Sequence, residues 1–420
     1  MGTLKYMLID FIKTSSATKP LYVQLKKYIG VKQFRFSLLP QVVPTMTGNT
    51  ELRYNLVLPT IRKTKVFGGI LTTIRILQLL MNQKGIRGRI IIINEEKNSS
   101  KWTYSIPGFS SEKMADNRII FLSESKKLDV GRNDIFILSN WRTAYTFMPV
   151  LNWQIHNYSL RNRKALYLIQ DYEPGFFAWS SEYMLAESTY KIDSEKIIAL
   201  FNSKELHDYF IQKKYTFSNY LYFEPTLNEK LKAELLANHD IQRKKQILIY
   251  GRPSESRNAF AIIKEALEIW SREYTKDVCE WRIISLGEQF EEIKLCNNTI
   301  EVFGKVTLEK YAQLMLSSYV GISLMISPHP SYPPLEMSTF GVKTITNTFE
   351  NKDLKCFNQN IVSLNDCTPA TIARSLSVIC DGFGTQNSVC CIDNDYVRGG
   401  HFETTINKIG DIISEMVSNG

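Results

Sequence analysis

The feature that most constrains the fold is a strand, glycine turn, helix, strand unit in residues 54–93. Residues 54–59 (YNLVLP) form an apolar run of strand length, Phe67-Gly68-Gly69 opens a strongly periodic helix over residues 70–83, Gly85 stops it, and residues 90–93 are apolar again. Two short apolar runs joined by one helix pair in parallel. The expected fold class is α/β, with a doubly wound parallel sheet.

The pattern continues and then restarts. Residues 135–138, 165–169, 196–201 and 220–223 read as strands, with a helix over 203–213 capped by Asn202 or Ser203. A polar stretch at 228–245 reads as helix and linker, after which strands are expected at 246–250, 281–286, 299–303, 321–326, 343–346 and 360–362. Helices fall at 258–273, 308–317 and 334–340. A chain of 420 residues exceeds one core. We expect two Rossmann-like domains facing across a cleft, residues 1–235 and 246–400, and an amphipathic helix in 401–420 able to cross back over either.

Charge is unevenly placed. Residues 1–97 carry 16 Lys and Arg against 4 Asp and Glu, residues 98–240 carry 17 against 17, and residues 241–420 carry 18 against 21. The net charge of +9 therefore originates in the first quarter, chiefly the basic, partly amphipathic segment within residues 1–40. Such a segment either lies on an anionic membrane surface or packs on its own domain. Nucleic acid fits poorly, because no zinc spacing, RNP-type strand or basic-region heptad accompanies the charge. No apolar run approaches the roughly 18 residues that span a bilayer, and no compact secretory h-region opens the chain. The expected location is the cytoplasm, with the inner face of the membrane as the place where the basic segment would act. Seven cysteines, all after residue 278 and without C-x-x-C pairs, argue against a disulfide or metal framework.

Chemistry is expected where strands end. In residues 167–190, YLIQDYEPGFFAWSSEYMLAESTY, a buried strand stops at Asp171, Tyr172 and Glu173, and Pro174-Gly175 turns the chain. Asp171 and Glu173 are candidates for a general base or hydroxyl clamp. The nearby aromatics, Tyr172 and Trp179 among them, either stack on a ligand or pack for stability. In the second half, the loop Gly251-Arg252-Pro253-Ser254-Glu255-Ser256-Arg257-Asn258 joins a strand to a helix. Arg252 and Arg257 there offer forked donors beside a helix start, a setting suited to a diphosphate. Lys305 follows another strand, and Glu336 begins a helix, where it serves either the helix dipole or the hydroxyls of a sugar. His156, His207 and His239 carry no assignment.

Taken together, GR…R, FGKV and PPLEMSTFGVKTITN in residues 251–347 resemble the nucleotide-binding half of GT-B glycosyltransferases, in particular the large retaining family four. QDYEPGFFAWSSEY at 170–183, with GRPSESRNAF at 251–260, narrows the resemblance to the WsaF-type rhamnosyltransferases from about residue 50 onward. The resemblance implies a GT-B fold, a nucleotide-sugar donor with dTDP-L-rhamnose leading and UDP- or GDP-sugars as alternatives, and a saccharide or lipid-linked oligosaccharide acceptor of cell-surface polysaccharide. It implies no metal and no other cofactor. Arg252, Arg257 and Lys305 would hold the diphosphate with Asn258 beside them, Glu336 the ribose, and Gly68-Gly69 the closing glycine loop, while Asp171 and Glu173 would act on the acceptor side as base or hydroxyl clamp and Tyr172 and Trp179 would stack on sugar faces there. One position departs from the family. Eight residues before Glu336 stands Pro328 rather than Glu, with His329 beside it as the possible substitute.

Two other classes compete with this reading. A nicotinamide-dependent oxidoreductase should show G-x-G-x-x-G after its first strand, which the sequence lacks. A non-catalytic nucleotide- or saccharide-binding protein stays open, since binding residues outlive turnover.

Overall fold

A parallel strand covered on both faces is buried along its length rather than on alternate residues, and Arg53–Leu58 shows this: only Arg53 escapes full burial, and even the polar Asn55 is buried. The computed structural model describes residues 36, 39–63, 68–83, 85–94, 104–112, 117–123, 125–238, 242–274, 278–385 and 389–419. The basic segment within residues 1–40 lies almost wholly outside these, as does His239. Residues 40–420 form one compact unit.

In chain order the first half contains β1 (Val43–Met46), β2 (Arg53–Leu58), α1 (Gly68–Asn82), β3 (Arg87–Ile92), β4 (Arg118–Phe121), β5 (Lys127–Val130) and β6 (Asp134–Leu138). It continues with α2 (Trp141–Asn157), β7 (Ala165–Ile169), α3 (Ser181–Ser188), β8 (Ile197–Phe201), α4 (Lys204–Gln212), β9 (Asn219–Tyr222) and α5 (Glu229–Ala237). The second half contains β10 (Lys244–Gly251), α6 (Phe260–Glu273), β11 (Arg282–Gly287), β12 (Ile293–Lys294), β13 (Thr299–Gly304), α7 (Leu308–Ser317) and β14 (Ser318–Ile322). α8 (Tyr332–Thr339), β15 (Lys343–Asn347), β16 (Ile361–Leu364), α9 (Pro369–Asp381), the single turn α10 (Asp395–Arg398) and α11 (His401–Ser418) follow.

One seven-stranded sheet runs β4-β3-β2-β6-β7-β8-β9, and a second runs β12-β13-β11-β10-β14-β15-β16. Every pairing in them is parallel except β12 with β13. Winding reverses between β2 and β6 in the first sheet and between β10 and β14 in the second. Ligand crevices open outside the carboxyl ends of strands at such reversals. Each sheet has an apolar cluster on either face. α11 joins the first sheet's core through Phe402, Ile406, Ile409 and Ile413, so the last helix crosses back over the first domain.

Three departures from the sequence reading have local causes. The strand expected at 321–326 begins and ends earlier, as β14. Its expected end leaves the sheet because Met325 N–H is bonded to Asn347 Oδ1 (2.7 Å) and Ile326 N–H to Arg257 O (2.8 Å). α2 was not anticipated, since its capping box uses Asn140 and Thr143 rather than an acidic residue. β1 and β5 pair with each other as a separate two-stranded sheet, and four-residue strands give little periodicity to read.

Candidate functional site

The two switch points bring their loops to one cleft. From the first sheet come Gly68 and Gly69 at the start of α1 and residues 170–177 after β7; from the second come residues 252–258 after β10 and 323–331 after β14. Gly69 packs directly on Gln170: a Cβ there would stand 2.5 Å from Gln170 Oε1 and push that side chain aside, whereas Gly68 faces open space. Gln170 Nε2 in turn donates to Ser139 O at the end of β6 (3.3 Å). The glycine turn and the segment bearing Asp171 are thus packed as neighbours.

Asp171 is the meeting point of the two halves. Its Oδ2 accepts from Arg257 Nη1 at 2.5 Å. Its Oδ1 accepts from Ser327 Oγ and from Tyr172 N–H at 2.8 Å. Arg257 also lies over the Phe176 ring, Cζ 3.8 Å from the centroid. A residue expected on the acceptor side and one expected on the diphosphate therefore hold each other.

Beside this pair lies a cavity of about 600 Å³ lined by Asp171, Tyr172, Tyr183, Tyr209, Tyr215 and Arg257 among others. Tyr172 is the hub of its wall, its hydroxyl 3.2 Å from those of Tyr183 and Tyr215. The Tyr215 hydroxyl donates to Glu187 Oε1 at 3.1 Å. Trp179 is 93% exposed, its ring tilted against that of Tyr183 with centroids 5.3 Å apart. Glu173 is turned away. It accepts from Trp141 N–H at 2.5 Å at the start of α2, and burial pushes its carboxyl up to about 8. It serves the helix end and does not line the cavity.

A second cavity, of about 370 Å³, collects Arg252, Lys305, Tyr250 and Tyr311 with the glycines that end β11 and β13. Gly304, at φ 60°, turns the chain so that Lys305 faces this space, and a Cβ there would strike Gln289 Oε1 at 2.5 Å. Arg252 Nη2 stands 3.2 Å from Glu255 Oε1. Glu336 lies among Tyr311, Tyr332 and Tyr396, and burial pushes it up to about 7. The expected diphosphate residues are divided: Arg252 with Lys305, Arg257 with Asp171. Asn258 is buried, its Nδ2 3.4 Å from Leu324 O, so it ties the loop after β10 to the loop after β14.

His329 is buried, and desolvation lowers it to about 4. Its Nδ1 accepts from Ser331 N–H (3.0 Å), which leaves the proton on Nε2, and Nε2 has no hydrogen-bond partner among the described residues. Ser327 and Lys352 were missed in the sequence. Lys352 is fully buried with Nζ on Met325 O at 2.6 Å, lowered to about 8 by desolvation against the pull of Asp171. Their position after β14 and β15, at carboxyl ends beside the switch point, was the available signal. Among the described residues no group of three or more His, Cys, Asp or Glu is placed to hold a metal ion, and no helix is long and apolar enough to cross a membrane.

Two parallel sheets with facing switch-point crevices define the GT-B class of fold, and solved GT-B structures superpose on most of the chain. Anabaena Alr3699/HepE in complex with UDP-glucose matches with a TM-score of 0.54 at 12% identity, over 88% of this chain and 100% of that one. WaaG, a glycosyltransferase involved in lipopolysaccharide biosynthesis, matches with a TM-score of 0.50 at 11% identity, over 86% and 99%. The family models for the WsaF N-terminal domain and the WsaF C-terminal domain match residues 53–204 and 245–377. The chain belongs to the WsaF family. The O-antigen biosynthesis protein RfbC of Myxococcus xanthus is 24% identical over 320 residues, 76% of this chain; the chain spans about a quarter of that relative's length (24%).

Proposed function

We propose that the chain transfers a sugar, L-rhamnose from dTDP-L-rhamnose as the leading donor, to a saccharide or lipid-linked oligosaccharide acceptor of cell-surface polysaccharide. The observation that carries this reading is the meeting of Asp171 with Arg257 and Ser327 at the facing crevices of the two sheets. Transfer requires a leaving diphosphate, an oxocarbenium-like carbon and an oriented hydroxyl. Arg252 and Lys305 would take the diphosphate with Arg257, fixed cations opposing the charge that grows on the leaving group. No metal is invoked. Glu336 would bind the ribose hydroxyls, His329 Nε2–H a hydroxyl of the donor sugar, and Asp171 the acceptor hydroxyl at the edge of the tyrosine-walled cavity. Tyr172 and Trp179 would face the acceptor, and the Gly68-Gly69 turn would admit the donor closely.

The nucleotide is tested by calorimetric titration of dTDP. Arg252→Ala and Lys305→Ala are each expected to weaken binding by about tenfold, the loss of one charge-assisted contact; unchanged affinity in both sinks the diphosphate reading. A thermal-shift panel of dTDP-L-rhamnose against UDP- and GDP-sugars ranks donors, because a ligand of the folded state raises the melting temperature by mass action. UDP-glucose, the ligand of the HepE complex, is the informative competitor. Release of nucleotide on mixing donor and acceptor separates a transferase from a binding protein.

A further inference from the structure

Three neighbours already engage Arg257. One flat face lies over Phe176, Nη1 is held by Asp171 Oδ2, and Nη2 stands 3.9 Å from Glu255 Oε2. A diphosphate oxygen binds a guanidinium through the same N–H donors that these carboxylates use, and Asp171 holds the shorter of the two contacts. Asp171 is likewise committed: Oδ2 to Arg257, Oδ1 to Ser327 and the Tyr172 amide. Arg257 can leave without stranding the carboxylate, because Ser327 and Tyr172 N–H remain on it and the buried Lys352 contributes an attractive charge. The other charged or titratable groups coupled to this cluster include Glu255, which is shared between Arg257 and Arg252, Glu173, which repels Asp171, His329, and Glu205, which acts on Lys352.

We propose that Asp171 and the donor diphosphate compete for Arg257, with Ser327 the positioning residue that holds Asp171 in the contest, so that donor binding is what frees Asp171 for the acceptor. The inference rests on the donor reading above and deepens it. It orders the reaction, donor before acceptor, and predicts that losing the carboxylate improves nucleotide binding.

The test is calorimetric titration of dTDP and UDP into wild type, Asp171→Asn, Ser327→Ala, Arg257→Ala and the double variant Asp171→Asn with Arg257→Ala. Asp171→Asn is expected to tighten binding by about tenfold, the scale of one charged hydrogen bond, and Ser327→Ala by a smaller factor in the same direction. Ser327→Cys, similar in size and a weaker donor, serves if the alanine variant does not fold. Plain repulsion between Asp171 and the diphosphate would also tighten binding, so the double variant decides: competition makes the gain vanish without Arg257. A gain that persists in the Arg257→Ala background, or binding that is unchanged or weaker in both Asp171→Asn and Ser327→Ala, overturns the proposal while leaving the donor reading intact. If neither nucleotide binds wild type, the donor reading fails and takes this inference with it.

Discussion

Burial sets the protonation of Glu173, pushed up to about 8 against the helpful pull of Trp141 N–H. A carboxyl raised in the fold binds its proton more tightly folded than unfolded, so its contribution is most favourable below the unfolded value. Stability should fall as pH rises from about 4.5 to about 8, by at most about 1.4 kcal/mol per unit. Glu173→Gln, which still offers an oxygen to Trp141 N–H, is expected to flatten that slope in urea denaturation from pH 5 to 8; an unchanged slope rejects the assignment. Asp171, two residues away, points to the cleft instead. Asp171→Asn is expected to tighten nucleotide binding while transfer is lost, and parallel loss of both would make Asp171 structural. Residue types at 171 and 173 were legible as candidates, but which carboxylate faced the cavity was not, because a 3₁₀ turn at Glu173–Phe176 sends consecutive side chains in different directions.

Among the elements, α2 is the one whose start most concerns the site, since Glu173 and the Asn140–Thr143 box satisfy its first amides together. Asn140→Ala should cost about 1 kcal/mol in chemical denaturation, the usual worth of such a cap, and a loss below a few tenths would show that Glu173 suffices. Most strands of both sheets were readable because parallel strands buried on two faces are largely apolar runs, but β4, with three of its four residues only half-buried, and the two-residue β12 were not. β14 was read too far along the chain for a physical reason: Ser323–Ile326 is apolar enough for a strand, but the Asn347 and Arg257 bonds pull it out as a loop. That displaced stretch leads directly to Ser327 and His329.

For the whole molecule, α11 returns to the first domain's core although it follows the second domain in sequence. Ile409 is fully buried there, so Ile409→Ala should destabilise the protein by about 2–5 kcal/mol, the range for large-to-small core changes. A change under about 0.5 kcal/mol by denaturant titration would mean the helix is not docked. The sequence alone determined the two α/β sheets, their crevices and the residue types gathered there, because apolar runs, helical period and turn residues are properties of neighbouring positions. Only the tertiary structure decided that Asp171 holds Arg257, that Glu173 caps a helix, that Lys352 is buried beside the cleft and which domain α11 covers. Each depends on which groups far apart in the chain share a small space, and burial and pairing there are settled by packing rather than by local pattern.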